Sequence, residues 1–383
     1  MRPTVWCLCD WLHRHAIRLS KIRPAVNHEV VIIGGGPSGL CLARYLKMSG
    51  HRVLVLDRGK IGSTWRQTPP ELSLLSPWWT NTMSLSGLFR FNPFARVRAA
   101  DYLKHIKDLE RCLAVEVKEG FEAVALQSQS DGTWTVVGKH GSAIQANNVV
   151  VATGYFSHPF VPGFEKSDGS VPCSHAAEIH DYDVALSNGF GRKILVVGKR
   201  VTAGQLMLAL HARGCRVQLA VRGPVEFRRG GWFGHLLDQV YFFYETFRIR
   251  LQPSVQADSY PPMDGGACRE LIESGQVEVV AVPRSIVSGH VHLADGRCVT
   301  PDRIILATGY RPALDLLGDV EKSKNGLPNT KRFEIESMPG VFLLGFDNLR
   351  NFRSRYLRGI RADAKQLANI LCGRLVYEKA TKR

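Results

Sequence analysis

"EVVIIGGGPSGLCLARYLKMSGHRVLVLD", Glu29 to Asp57, reads as an apolar strand, a glycine turn, a helix of small residues and a second apolar strand. Gly34, Gly36 and Gly39 form G-x-G-x-x-G directly after Val30–Ile33, and Pro37 and Ser38 open the helix. Each glycine has its own task. Gly34 permits the tight turn, Gly36 lets backbone approach a pyrophosphate, and Gly39 lets the helix pack against the strand. The helix N-terminus then offers free N–H groups and partial positive charge to the phosphates. Asp57 ends the second strand 18 residues beyond Gly39, where a carboxylate can accept hydrogen bonds from ribose hydroxyls. The four features together predict a dinucleotide site.

A second stretch has the same shape, "KILVVGKRVTAGQLMLALHARGCRVQLAVR", Lys193 to Arg222. Gly198 matches Gly34, but Arg200 stands where the second glycine is expected, followed by Thr202 and Ala203. A side chain there obstructs close approach of backbone to pyrophosphate, whereas the planar guanidinium can pair with phosphate itself. Both readings stay open. Arg222 ends the second strand, where an acid favours NAD and an arginine accommodates the 2′-phosphate of NADP. Two further segments echo each other: "NNVVVATGY", with Thr153 and Gly154, and "DRIILATGY", with Thr308, Gly309 and Tyr310. Strands alternating with helices argue for an α/β fold with parallel sheet.

The chain has 383 residues, 45% hydrophobic and 22% charged, which suits a globular protein of two domains. Its net charge of +16 favours anionic partners, yet no nucleic-acid motif gives that charge direction. The nine cysteines are scattered, with Cys7 and Cys9 the one close pair and no C-x-x-C anywhere. Neither a dithiol redox centre nor a zinc ribbon is indicated, no His/Cys spacing suggests a metal, and free thiols in the cytoplasm are expected. Residues 1–27 carry Asp10, Arg14, Arg18, Lys21 and Arg23 and lack the apolar run of a signal peptide. A basic amphipathic helix on a membrane or partner is one reading of them, and a helical extension without special role is the other. Gly230–Phe247 is aromatic but interrupted by His235, Asp238 and Glu245; a substrate lid and a membrane-facing patch are two readings of its aromatic run, and a buried amphipathic helix is the one expected.

With both turns and both Ala-Thr-Gly-Tyr strands in view, Glu29–Leu371 resembles the two-dinucleotide-binding-domain flavoproteins, within them the flavin-containing monooxygenases. The resemblance implies two Rossmann-like domains, the NAD(P) domain inserted into the FAD domain: residues 28–164 and 296–383 around 165–295. It implies that Gly34, Gly36, Pro37, Ser38, Gly39, Asp57 and Arg58 hold FAD, and that Gly198, Arg200, Thr202, Ala203 and Arg222 hold NADPH. "GSTWR", Gly62–Arg66, is similar to the family's Gly-Gly-x-Trp segment and brings Trp65 and Arg66 to the flavin. "WTNTM" looks like the segment with an active-site asparagine, here Asn81. "PGVFLLGFDN" resembles the returning FAD strand, with Gly345 and Asp347 on the flavin side. The F-x-G-x-x-x-H fingerprint of the family is not matched, since Gly169 and His175 are too far apart.

The implied cycle has NADPH reduce FAD, O₂ add to the reduced flavin, and a C4a-hydroperoxide deliver oxygen to a small organic substrate. Two other readings remain beside it: a flavin dehydrogenase or reductase without oxygenation, and a non-catalytic FAD-binding protein. Trp78, Trp79, Phe89, Phe91 and Phe94 are equally readable as a substrate wall or as core filling. The arginines Arg350, Arg353, Arg355, Arg358 and Arg361 are expected to be mostly a solvated helix face, with the flavin pyrophosphate or an acidic partner as the alternatives.

Overall fold

A computed structural model describes residues 28–185, 190–228, 231–252, 254–256 and 261–381, so the extension 1–27 and Gly230 lie outside the described residues. β1 (His28–Ile33), α1 (Pro37–Met48) and β2 (Val53–Leu56) form the first turn unit. The irregular segment that follows carries two single-turn helices, α2 (Ser63–Arg66) and α3 (Trp78–Asn81), before the amphipathic α4 (Ala99–Leu113). β3 (Glu116–Lys118), β4 (Ala123–Ser128), β5 (Trp134–Gly138) and β6 (Ala143–Val151) complete this half of the chain. β7 (Lys166–Ser167), β8 (Cys173–His175) and α5 (Tyr182–Ala185) lead into the second turn unit, β9 (Lys193–Val197), α6 (Val201–Ala212) and β10 (Arg216–Val221). Then come α7 (Gly231–Leu251), α8 (Ala267–Glu273), β11 (Glu278–Ala281), β12 (Pro283–Val287), β13 (His290–Leu293), β14 (Cys298–Val299) and β15 (Arg303–Leu306). The chain returns through β16 (Thr330–Lys331), β17 (Glu334–Ile335) and β18 (Val341–Leu343) to α9 (Leu357–Thr381).

Two parallel sheets result. The first runs β18-β6-β1-β2-β3, with β16 and β17 on one edge and the antiparallel β4–β5 pair on β6. The second runs β11-β10-β9-β15-β8. In each, the strand entering the glycine turn sits between its successor and a later strand, so strand order reverses beside the turn. That reversal opens a crevice at the carboxyl ends, where ligands of open α/β sheets bind.

The apolar runs of β1 and β9 are continuous because both faces of each strand are covered. Val30 and Ile32 pack with Leu40, Leu46, Tyr102 and Leu367 from α1, α4 and α9, while Val31 and Ile33 pack with Trp134, Val136 and Leu316. In β9, Ile194 and Val196 meet Leu206, Met207 and Leu210 of α6, and Leu195 and Val197 meet Ile286, Val291 and Leu293. Burying each such side chain contributes about 1.5–3 kcal/mol, and the period of two divides the residues between the layers.

One sequence boundary moves. Arg303–Leu306, assigned above to the outer unit that resumes at 296, pairs with β9 and β8 in the second sheet. An apolar strand signals burial on both faces but not which sheet buries it.

Candidate functional site

The first turn assigns a different reason to each glycine. Gly34 has φ +119°, and a Cβ there would stand 2.4 Å from the Ala152 carbonyl oxygen. A Cβ on Gly39 would lie 2.0 Å from the Gly34 oxygen, so helix and turn touch only without one. Around Gly36 no atom lies within 4 Å of that position, which leaves open space for a ligand's approach. Gly36 caps α1 without a side-chain hydrogen bond, so the first N–H groups of the helix keep their donors for a ligand. Asp57 braces the turn: Oδ2 accepts from Gly35 N–H and Oδ1 from Gly59 N–H, each at 2.8 Å. Each oxygen keeps a second acceptor site for ribose hydroxyls.

The turn opens into a cleft of about 360 Å³. Of the predicted residues, Gly34, Gly36, Pro37, Ser38, Asp57, Arg58, Trp65, Thr153, Gly154 and Gly345 line it. Gly345 (φ +85°) crosses the helix start so closely that a Cβ would meet Ser38 Oγ at 2.5 Å. Other predicted residues stand outside the lining. Arg66 donates through Nε to the Ile61 carbonyl at 3.2 Å. Asn81 is fully buried, its Nδ2 donating to the Ser76 carbonyl and its Oδ1 accepting from Ser76 Oγ. Its amide therefore organises the irregular segment instead of facing the cleft. Asp347 stands behind Arg355, which does line the cleft, at 3.2 Å. Tyr155 donates to Asp347 Oδ2 at 2.7 Å and accepts from the Asp347 N–H at 2.9 Å. Burial, then the Asp347 charge, pushes the Tyr155 hydroxyl far above its ordinary range, so it stays a neutral donor.

The Ala-Thr-Gly-Tyr segments meet as a ribbon. Pro159 and Tyr310 form an antiparallel bridge, Phe160 N–H donates to the Gly309 carbonyl, and Arg311 N–H donates to the His158 carbonyl, the last two at 2.8 Å. Thr153 Oγ1 donates to the Ala313 carbonyl at 2.6 Å, and Thr308 Oγ1 donates to that of Phe160. Both threonines thus tie the crossing between the two units. Tyr310 lies edge-on to His175, centroids 5.0 Å apart, and burial raises its hydroxyl to about 12. His175 is buried, accepts from Ala177 N–H and has its pKa lowered by burial. His158 faces the cleft from the ribbon, 2.5 Å from Asp315.

The second turn repeats the first in backbone. Gly198 has φ +152°, and a Cβ there would lie 2.5 Å from the Ala307 oxygen. Arg200 caps α6 at φ −113°, ψ −170°, beside φ −81°, ψ −174° for Gly36. That conformation suits any residue, so arginine fits without strain. Its Nη1 reaches Glu226 Oε2 at 3.0 Å, and its backbone bridges Pro262. Ala203 is buried, Thr202 stands beside it in the first turn of the helix, and Arg222 is exposed just past β10. Gly198 N–H donates to the Ala220 carbonyl, which sets the end of β10 beside the turn.

Residues 31–231, more than half of the chain, match the sequence profile of the pyridine nucleotide-disulphide oxidoreductases. The chain belongs to that family. Probable indole-3-pyruvate monooxygenase YUCCA3 of Arabidopsis thaliana is 26% identical, over 92% of this chain and 88% of the relative. An uncharacterized CzcO-like oxidoreductase of Geobacillus kaustophilus is 24% identical, over 89% and 97%. Among solved structures, a flavin-containing monooxygenase from Stenotrophomonas maltophilia superposes with TM-score 0.71 at 18% identity, over 91% of this chain and all of that one. Bacillithiol disulfide reductase of Bacillus cereus gives 0.67 at 19%, over the same shares. The last two likenesses establish the doubly wound fold of this oxidoreductase.

Among the described residues of this family member no cysteine lines the first cleft, and the seven cysteines there are all free. The arginine cluster also departs from expectation. Arg350 pairs with the buried Asp363 at 2.7 Å, while Arg353 and Arg358 converge on the buried Glu245 of α7 at 3.4 and 2.9 Å. Instead of a solvated face, Arg353 and Arg358 tie α7 to the start of α9 and the loop before it, and Arg350 ties that loop to α9. Burial depresses the Arg353 guanidinium and raises the Asp363 carboxyl. Arg355 alone of the five lines the cleft. Tyr155, His158 and Asp315 are cleft residues that the sequence reading did not single out. Tyr155 closes the first Ala-Thr-Gly-Tyr segment, and the signal for His158 and Asp315 was their place just after the two segments.

Proposed function

We propose that this chain is an FAD- and NADPH-dependent monooxygenase that transfers one atom of O₂ to a small organic substrate. The observation that carries the reading is the pair of matching turns, Gly34 against Ala152 and Gly198 against Ala307, joined by one ribbon. Two nucleotide sites in one chain are what passing electrons from a nicotinamide to a flavin requires. The names of the sequence relatives, indole-3-pyruvate monooxygenases among them, favour oxygen transfer over simple reduction. The chain also lacks C-x-x-C, the dithiol that disulfide reduction would use.

The open space at Gly36, the uncapped start of α1, Asp57 and Arg355 fit an FAD: N–H groups for pyrophosphate, a carboxylate for ribose, a cation nearby. When bound, the flavin supplies the hydride acceptance and oxygen activation that no side chain offers. Tyr155 and Asp347 hold Arg355 in place, and Trp65, Phe156 and Leu316 give the cleft apolar lining. Lys199, Arg200 and Arg222 gather cationic charge at the second turn for the phosphates of NADPH, and Arg200 must exchange Glu226 for phosphate. Asn81 acts at one remove, fixing Ser76. A cytoplasmic location belongs to the same reading, because the described cysteines are not paired in disulfides.

The test is anaerobic stopped flow on the purified yellow protein. NADPH should bleach the flavin, and O₂ should then give a transient near-ultraviolet band before reoxidation. Immediate reoxidation with release of hydrogen peroxide, in the presence of candidate substrates, would favour an oxidase or reductase. No bleaching by either NADPH or NADH would leave a binding protein.

A further inference from the structure

The long helix α7 is built inside out. Phe242, Glu245 and Ile249 are buried, and Asp238 is held one turn before Phe242 on the same side. Both acids are taken up by arginines: Asp238 by Arg96 and Arg228, Glu245 by Arg353 and Arg358. The outward side carries Leu236, Val240, Phe243, Tyr244, Phe247 and Leu251, between 49% and 66% exposed. Their spacing of four, three, one, three and four residues makes one continuous stripe along the helix. Phe94, 52% exposed, extends the patch, its carbonyl accepting from Gln239 at 3.2 Å. The buried amphipathic helix expected from the sequence is therefore an exposed one, with its apolar side outermost.

Among the described residues of α7, the charged side chains beside that stripe are cations. Arg248 and Arg250 are exposed in its last turns, and both acids of the helix point inward. A patch of this size on a soluble surface marks an interaction site. No described helix is long and apolar enough to cross a membrane, so an apolar phase reached by α7 is reached in its plane.

We propose that α7 lies flat in the surface of an anionic lipid bilayer, with its aromatic stripe at the boundary between headgroups and acyl chains. Arg248 and Arg250 then face lipid phosphates. Phe and Tyr side chains suit that boundary, and the +16 charge of the whole chain draws it to a negative surface. Charge complementarity favours lipid over a second copy of the chain, because among the described residues of α7 an identical helix face brings apolar stripe and arginines while its two acids are paired inward.

The test is co-sedimentation of the full-length protein with vesicles of phosphatidylcholine, and of phosphatidylcholine mixed with phosphatidylserine. The protein should pellet with the serine lipid and much less with phosphatidylcholine alone, and added salt should release it. Val240→Glu combined with Phe247→Glu should lower the partition coefficient about tenfold or more, since both side chains leave the boundary. Arg248→Glu combined with Arg250→Glu should lower it about tenfold on the anionic vesicles. All four side chains are exposed, so circular dichroism and bound flavin should match the parent. The proposal fails if the parent protein stays in the supernatant with both vesicles, or binds both equally. It also fails if both double variants bind as the parent does. A dimer seen by light scattering without lipid, and split by Val240→Glu with Phe247→Glu, would assign the face to a second copy and overturn it. Sedimentation reads no turnover, so this result is separate from the monooxygenase reading.

Discussion

At the first turn Gly36 leaves the mouth of the helix open; at the second, Arg200 occupies the same extended backbone position and reaches across to Glu226. The glycines before them do not differ. Gly34 and Gly198 both have positive φ, and each presses against the carbonyl of an alanine at the end of a later strand. The two demands usually read together from a glycine motif are therefore separable. One is conformational and comes from the protein's own backbone. The other is room for a ligand, and a side chain that itself binds the ligand can replace it.

The largest effects should come from the conformational demand. Gly34→Ala and Gly198→Ala each place a Cβ within 2.4 or 2.5 Å of a carbonyl oxygen at positive φ. Each should cost about 3 kcal/mol or more, from strain plus overpacking. The consequences should differ by half. Gly34→Ala should purify without flavin, by absorbance, whereas Gly198→Ala should retain flavin that NADPH no longer bleaches. Loss of flavin from both variants would break the assignment of separate nucleotides to the two turns.

The first turn was legible because everything that defines it is local: three glycines, a proline and a strand-ending acid. Its cleft was less so. Asn81 sits in a segment that looks like a site motif, yet what its amide meets is set by Ser76 and the folding of an irregular loop. Five arginines crowd one stretch of sequence, and only the tertiary positions of Glu245, Asp347 and Asp363 decide which one faces the cleft. The same holds for α7. Its composition announces a buried helix, but the arginines that draw Asp238 and Glu245 inward come from elsewhere in the chain and turn the aromatics out.

A pH titration probes the first half from beneath. His105 Nε2 accepts from Met83 N–H at 3.2 Å, and burial, then the Arg90 charge, lowers its pKa to about 4. The unfolded chain takes up this proton near pH 6.5, so stability is complete above that value and falls as pH drops toward 4. The loss should approach about 3 kcal/mol at the lower end. Flavin release, followed by fluorescence, should accompany it. His105→Gln keeps an acceptor for Met83 and should flatten this part of the pH dependence. An unchanged slope would show that other groups govern the acid limit.

Access at the second turn is tested by Arg200→Ala. A charge-assisted contact with phosphate contributes about 1.5–3 kcal/mol, so the KM for NADPH should rise roughly 10- to 100-fold while flavin content holds. Glu226→Gln should act in the opposite direction, because Arg200 no longer leaves an ion pair to reach the nucleotide. If Arg200→Gly instead lowers KM, the side chain obstructs the site and the idea of replacement at this turn is wrong.

The smallest effect belongs to the third position. Gly39 has no room for a Cβ against the Gly34 oxygen, whereas its counterpart Ala203 already carries one and is fully buried. The second helix therefore packs on its strand through a methyl group, with Leu206 and Met207 in the same layer. Ala203→Gly removes that methyl and loosens the helix backbone, which together cost about 1–2 kcal/mol. The melting temperature should fall by a few degrees, and KM for NADPH should stay within about twofold, because the substitution leaves Gly198 and Arg200 in place. A large rise in KM would mean that the helix start shifts when its packing slackens. Closeness of helix to turn, and not the side chain at the second position alone, would then decide how the second turn meets its nucleotide.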